Sequence, residues 1–229
     1  MVAQCVSNVA PQEATYNRLA MSTPSGEQTI EQQIAYDEHG LVPCVVQDWN
    51  TGEVLTLAYM NSTALARTRE TGELHLYSRS REQQWHKGES SGDTQAVRAL
   101  RLDCDGDSLL ALVDPAGPAC HTGERTCFHR GELHPSAPHE VLPRLERTIA
   151  ERARTRPNGS YTVELLDDPS HIGAKVIEEA EELARAPREE SDQRVDEEAA
   201  DVAYHVLVLL RSRGRELADT ERVLDGRSR

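Results

Sequence analysis

The chain is short of aromatic side chains, which make up 4% of its 229 residues and include a single phenylalanine. It also lacks any apolar run long enough to span a bilayer: the longest, residues 202–210, is broken by Tyr204 and His205, which excludes a helical membrane anchor within it. Basic charge is scarce, and the formal net charge of -14 argues against broad binding to nucleic acid or anionic membranes, both of which need basic surface. Local Arg/Lys clusters or bridging cations would still let so acidic a protein hold phosphates. The N-terminus lacks the basic start and apolar core of a signal peptide. Five cysteines, an odd number, do not suit a disulfide framework and point to the cytosol.

What is present divides near residue 135, where the hydrophobic period changes. Residues 1–30 read as a disordered extension. From 31 to 131 short β-rich runs dominate, at 42–49, 54–59, 74–78, 96–102 and 109–113. Asn50-Thr51-Gly52-Glu53 suits a hairpin turn, and Asn61 caps a helix that Thr71-Gly72 ends. Residues 132–140 form a linker. From 141 to 229 the pattern is helical: a first helix marked by Val141, Leu142, Leu145 and Ile149, a short one at 161–166, long ones at 172–186 and 189–213 separated by Pro187, and a last at 216–224. The expected architecture is therefore two domains, an N-terminal β-rich α+β metal-binding domain and a C-terminal all-α domain.

The first constellation lies between Asp103 and Cys127. Cys104, Cys120 and Cys127 are soft ligands that suit zinc, and three thiolates leave a tetrahedral ion one open position for a water that ionises near neutral pH. His121, adjacent to Cys120, is better placed as a general acid/base than as a fourth ligand. Asp103, Asp105 and Asp107 alternate, so in an extended strand end they project to one side, with Cys104 on the other. Their carboxylates suit Mg²⁺; a solvated acidic turn is the plain alternative. Upstream, Arg79, Arg81, Lys87, Glu89 and Ser91 surround Trp85 in a loop that suits a phosphate, with the indole available to stack on a base.

Trp85-x-Lys87-Gly88-Glu89-x-Ser91-Gly92, Asp103-Cys104-Asp105-x-Asp107, and Cys120-His121-Thr122-Gly123 followed by Cys127 resemble phosphoribosyl-AMP cyclohydrolase of histidine biosynthesis. The resemblance implies zinc at Cys104, Cys120 and Cys127 and Mg²⁺ at Asp103, Asp105 and Asp107. It further implies a homodimer in which cysteines of both chains complete each zinc site. The implied reaction opens the adenine ring between N1 and C6 with zinc-activated water, His121 carrying the proton.

The second constellation pairs Glu179 with Glu182 and Glu198 with Asp201 at i, i+3 spacing, one pair on each of two helices. If the helices pack antiparallel, the four carboxylates converge on Mg²⁺. Generic solvated acidic faces are common in so acidic a segment. Asp201, however, lies in a run that stays apolar through Leu210, so burial is expected, and metal coordination would compensate it. This half resembles phosphoribosyl-ATP pyrophosphohydrolase, of the all-α nucleotide pyrophosphohydrolases with an E-x-x-E…E-x-x-D signature. The resemblance implies attack by metal-bound water on an α–β phosphate linkage, with Lys175 contacting phosphate and His205 packing.

Together the two resemblances imply a bifunctional, nucleotide-binding and ATP-type-substrate hydrolase of the cytoplasm that acts on phosphoribosyl nucleotides, with chain order the reverse of reaction order. One alternative is a cyclohydrolase fused to a general nucleotide pyrophosphohydrolase. A second is a structural-zinc protein with a helical dimerisation module.

Overall fold

A computed structural model describes residues 29–132, 137–189 and 191–227. The expected N-terminal extension up to residue 28 and residues 133–136 of the linker lie outside the described residues. None of the described helices is long and apolar enough to cross a membrane.

The first half is a six-stranded sheet in the order β4-β3-β2-β1-β6-β5. After a short helix α1 (Ile30–Gln33), the strands are β1 (Val42–Asp48), β2 (Val54–Met60), β3 (His75–Ser78), β4 (Gln83–His86), β5 (Gln95–Leu102) and β6 (Leu109–Pro115), with helix α2 (Ser62–Thr71) between β2 and β3. Strand β1 alternates buried and half-buried residues along its length, the period-2 signature of a strand with one face on a core. It pairs antiparallel with β2 and parallel with β6. The sheet then curls so that the segment entering β3 reaches β5: Glu73 bridges Ala96, and the Leu74 amide donates to the Gln95 carbonyl at 2.9 Å. The curl leaves β4 as a short edge strand.

Asn61 caps α2 as expected, its side chain accepting from the Ala64 amide, and Gly72 ends it in the left-handed conformation. The turn after β1 is also where the sequence places it, with Asp48 accepting from the Asn50 and Thr51 amides at 2.8 Å each. Strand β4 is a correction. Trp85 and His86 read as loop, but Leu76 pairs with Trp85 and His75 with His86 across β3–β4. Two glutamines on a short edge strand carry no alternation, so only the tertiary pairing reveals it.

The second half contains α3 (Val141–Thr155), α4 (Tyr161–Asp167), α5 (Pro169–Glu189), α6 (Asp192–Ser212) and α7 (Leu217–Arg227), with a single 3-10 turn at Pro138–Glu140 before α3. Pro187 does not separate two helices; it lies within α5. Near the end of a helix the carbonyl that proline leaves unpaired sits where carbonyls lose their partners anyway. Ser191 then caps α6, its hydroxyl accepting from the Arg194 amide.

Each half has its own core. Val42, Leu55, Met60, Leu65, Leu74, Leu76 and Leu109 anchor the first, and Ile149, Leu165, Ile172, Leu207 and Val208 the second. Aliphatics fill both, as the scarcity of aromatics requires. Leu76 is fully buried, so Leu76→Ala is expected to destabilise the sheet domain by about 2–5 kcal/mol through lost transfer energy and a residual cavity. Both tryptophans, Trp49 and Trp85, lie in this half, so their fluorescence during urea unfolding reads the change directly.

Candidate active sites in the two domains

The cysteine loop hangs from β2. The Cys127 amide donates to the Leu55 carbonyl at 2.8 Å, and the Thr126 hydroxyl to the Val54 carbonyl at 2.8 Å. Within the loop, the Cys120 amide reaches the Glu124 carbonyl and the Ala119 amide the Arg125 carbonyl. This fold brings the thiols of Cys120 and Cys127 together. The Thr122 hydroxyl donates to Cys120 Sγ at 3.1 Å, and that bond, with the Thr122 amide, holds the Cys120 thiol below its ordinary pKa. Burial, and repulsion from Cys120, push Cys127 up. The pair thus favours one thiolate at a time until a cation joins it.

Cys104 does not complete the group. Two clusters among the described residues bring three metal-ligating side chains within 4.8 Å of one another, and neither contains a cysteine. Cys104 is exposed.

Asp103, Asp105 and Asp107 do form one of those clusters, and all three are exposed. Their convergence has a different cause from the one expected. The segment is a bend rather than a strand end, with Gly106 at φ +83 and Asp103 Oδ1 accepting from the Gly106 and Ser108 amides. A side chain at Gly106 would collide with the Gln33 carbonyl at 2.3 Å, so glycine lets the segment after α1 press on the aspartate turn.

The expected phosphate loop lies against the cysteine loop. Asp93 is clasped between two glycines: a Cβ on Gly88 would meet its backbone at 2.3 Å, and one on Gly117 its carboxylate at 2.1 Å. Lys87 is buried at 8% exposure, lies 5.8 Å from the Trp85 ring, and places its charge near Cys127. Arg81 approaches Trp85, and Arg79 stacks on Tyr59 at 3.9 Å. Glu89, Ser91 and His121 are exposed, and His121 Nδ1 lies 3.9 Å from Cys120 Sγ. Sequence reading missed a neighbouring device: His86 stacks on His75 at 4.6 Å and pairs with Glu73 at 2.7 Å.

In the helical half, α5 and α6 bring Glu179, Glu182 and Glu198 within 4.8 Å. Glu198 is 1% exposed, and neither carboxylate oxygen accepts a hydrogen bond of good geometry. Burial, with the negative charges of Glu182 and Glu179, raises its pKa against the pull of Arg194. Arg194 reaches Glu182 at 3.5 Å and Glu197 at 3.3 Å as well as Glu198; the sequence reading did not select it, although it stands four residues before Glu198. Lys175 pairs with Glu178 at 2.9 Å and Glu179 at 2.8 Å. The hydrogen bond from Lys175 holds Glu179 below its usual pKa, and both glutamates raise that of Lys175.

Asp201 departs from expectation: it is exposed and lies outside the cluster of three. Successive helical residues turn by 100°, and the buried face of α6 runs through Glu198, His205 and Val208. By that rotation Asp201 shares the direction of Glu198, His205 and Val208, so its exposure is set by what packs over it and not by the helix face it stands on. His205, read as packing, also carries polar contacts. Its Nδ1 donates to the Asp201 carbonyl at 2.8 Å, since a carbonyl only accepts. That leaves Nε2 to accept from the Tyr161 hydroxyl at 3.3 Å.

Two such constellations, one on a curled sheet and one on a helical hairpin, define a two-site enzyme of the hydrolase class. Residues 56–129 match the family model of phosphoribosyl-AMP cyclohydrolase, and residues 142–228 that of phosphoribosyl-ATP pyrophosphohydrolase. The histidine biosynthesis bifunctional protein HisIE of Bacillus subtilis is 46% identical, over 85% of this chain and 95% of its own length. Its counterparts in Thermus thermophilus (46%; 86% and 92%) and Gloeobacter violaceus (44%; 87% and 93%) are similarly alike. The chain belongs to this family of bifunctional histidine-biosynthesis enzymes, with cyclohydrolase and pyrophosphohydrolase activities. That sets aside the structural-zinc alternative and favours phosphoribosyl-ATP over general nucleotides for the helical half.

A raised carboxyl pKa means that the folded state holds its proton more tightly than the unfolded chain does. Stability therefore falls as pH rises from the unfolded value toward the folded one, and at neutral pH the ionised Glu198 is a net cost. Glu198→Gln is expected to raise the melting temperature of the chelator-treated protein at pH 7. It should also lower pyrophosphate release by more than about 100-fold, beyond the cost of disturbing an outer-sphere partner. Calorimetry with a pyrophosphate-release assay checks both.

Proposed function

We propose that the sheet domain opens phosphoribosyl-AMP at a zinc site of Cys104, Cys120 and Cys127, and that the helical domain cleaves phosphoribosyl-ATP at a divalent-cation site of Glu179, Glu182, Glu198 and Asp201. The observation that carries the metal reading is Glu198, a buried carboxylate crowded by Glu179 and Glu182, with Arg194 as its cationic partner. One guanidinium does not balance three converging carboxylates, and a hard cation bound by oxygens would. Mg²⁺ there would neutralise the pyrophosphate leaving group and activate water. Exposed Asp201, one turn from Glu198 on the same face, would close the site from the solvent side, and Lys175 would meet a phosphate when it exchanges Glu178 for substrate.

At the sheet site the donor set suits zinc, which when bound lets water ionise near neutral pH. Thr122 keeps Cys120 ready as a thiolate. Trp85 offers its ring to the adenine, Lys87 and Ser91 face the same loop, and Arg79 and Arg81 carry the charge that a phosphate needs. His121, exposed beside Cys120, moves the proton. Asp103, Asp105 and Asp107 would hold Mg²⁺ near the substrate, although two of the Asp103 lone-pair directions already close the turn.

A homodimer in which Cys104 of one protomer meets Cys120 and Cys127 of the other accounts for the exposure of Cys104 and its absence from a three-ligand cluster. A cytoplasmic setting is supported by the thiols, all free among the described residues.

The domains divide the work, so Cys120→Ser is expected to abolish ring opening, followed by ultraviolet absorbance, and leave pyrophosphate release intact. Asp201→Asn should do the reverse. Loss of both activities in either variant contradicts this division. Sharing of zinc has its own test. Refolding Cys104→Ser together with Cys127→Ser should recover about a quarter of wild-type ring opening, because half the dimers are mixed and each holds one intact site of two. No recovery would mean that one chain supplies all three thiolates.

A further inference from the structure

We infer that Arg147, in the helical domain, is a positioning residue for the cysteine loop of the sheet domain, acting through Glu53 and Arg125. The inference rests on the reading that this loop holds zinc. Glu53 ends the β1–β2 turn at 8% exposure, and Asp48 begins it at 3%. Two buried carboxylates this close need two cations. Arg125 supplies one, pairing through Nη2 with Asp48 and through Nε with Glu53 Oε2 at 3.4 Å. Arg147 supplies the other from α3, with Nη1 and Nη2 each donating to a separate Glu53 oxygen at 2.8 Å.

The position of Arg125 gives this junction its reach. It stands between Cys120 and Cys127, two residues before the latter, and its carbonyl closes the loop by accepting from the Ala119 amide at 3.2 Å. Its side chain is thus held in the turn while its backbone shapes the loop. The Thr51 hydroxyl also donates to Glu53 Oε2, at 3.0 Å. That oxygen therefore has three donors, of which Arg125 is the most distant. Although burial works to raise it, the hydrogen bonds and charge of Arg147, with Thr51 and Arg125, hold the Glu53 carboxyl below its usual pKa.

Without Arg147, one guanidinium faces two carboxylates. Arg125 is drawn toward Glu53, its contact with Asp48 weakens, and the displacement passes along the backbone to Cys127. A bidentate pair fixes orientation as well as charge, which lysine at this position would not reproduce. The neighbouring cations are engaged elsewhere: Arg215 pairs with Asp219 at 3.0 Å, and the charge of Arg211 falls on Glu146. A cleft of about 520 Å³ beside the junction, lined by Asp48, Arg125, Arg147 and Arg211, admits salt, so the coupling weakens with ionic strength.

The test uses zinc-loaded full-length protein and follows transfer of zinc to a chromophoric chelator. Arg147→Met keeps the aliphatic stem and deletes the fork; Arg147→Lys is the second variant should the first fold poorly. Either is expected to release zinc about fivefold faster and to lower kcat for ring opening comparably, within the range of two-site couplings. Pyrophosphate release should stay within about twofold of wild type, well inside the span of a coupling. Glu53→Gln should reproduce the effect, and the double variant with Arg147→Met should be no worse than Glu53→Gln alone. Unchanged zinc release, strictly additive single effects, or an equal fall of both activities with melting temperature overturns the inference. A wild type that takes up no zinc sinks the metal reading and this inference with it, whereas normal uptake with unchanged release in the variants sinks this inference alone.

Discussion

An ionised carboxylate in a protein interior must be matched by positive charge or by hydrogen bonds, and this molecule depends on how it meets that demand. At Glu53 the match is complete within the chain, by two guanidiniums and a hydroxyl. At Glu198 it is partial: Arg194 faces a carboxylate flanked by Glu182 and Glu179. The first arrangement fixes a turn and joins the two halves. The second leaves negative charge unbalanced between α5 and α6, where the proposed cation would sit.

The sheet domain meets a related demand through backbone rather than charge. Two loops distant in sequence, one running on from Trp85 of β4 through Lys87 and the other bearing Cys120 and Cys127, meet because Gly88 and Gly117 leave room for Asp93 between them. The Thr94 carbonyl accepts from the Ala116 amide beside that contact. The side chains proposed to bind substrate and those proposed to hold zinc are thereby held on one seam, so substrate orientation would not rely on long side chains alone.

Much of this was legible in the sequence, for physical reasons that also explain what was not. Strand β1 and helix α2 were readable because alternation and caps are local. The Glu179, Glu182 and Glu198 cluster was readable because helical spacing converts sequence separation into a shared face. Burial of Asp201 was misjudged because apolar neighbours along a helix point elsewhere. The aspartate turn was given the wrong geometry because Gly106, which bends it, was read only as a spacer. Strand β4, the Asp48–Arg125–Glu53–Arg147 junction, and the bridging role of Arg194 were invisible because they arise from contacts between distant segments. A glutamate in a turn and an arginine on an amphipathic helix carry no mark of each other.

The parallel pairing of β1 with β6 sets the order in which the chain can become itself. Cys44 lies against Leu109, so the central seam of the sheet waits for a strand made long after its partner. Hairpins and the capped helix can form early, but the curling of the sheet is a late, non-local event of the slow kind. On the ribosome the sheet therefore remains open until most of its length has emerged. Among the helices that follow, α5 and α6 form a local hairpin, but their core too closes late, when Leu207 and Val208 meet Ile149. The half that acts second on the substrate is thus made first but closes late, and the half that acts first is complete only once the rest of the chain has been made.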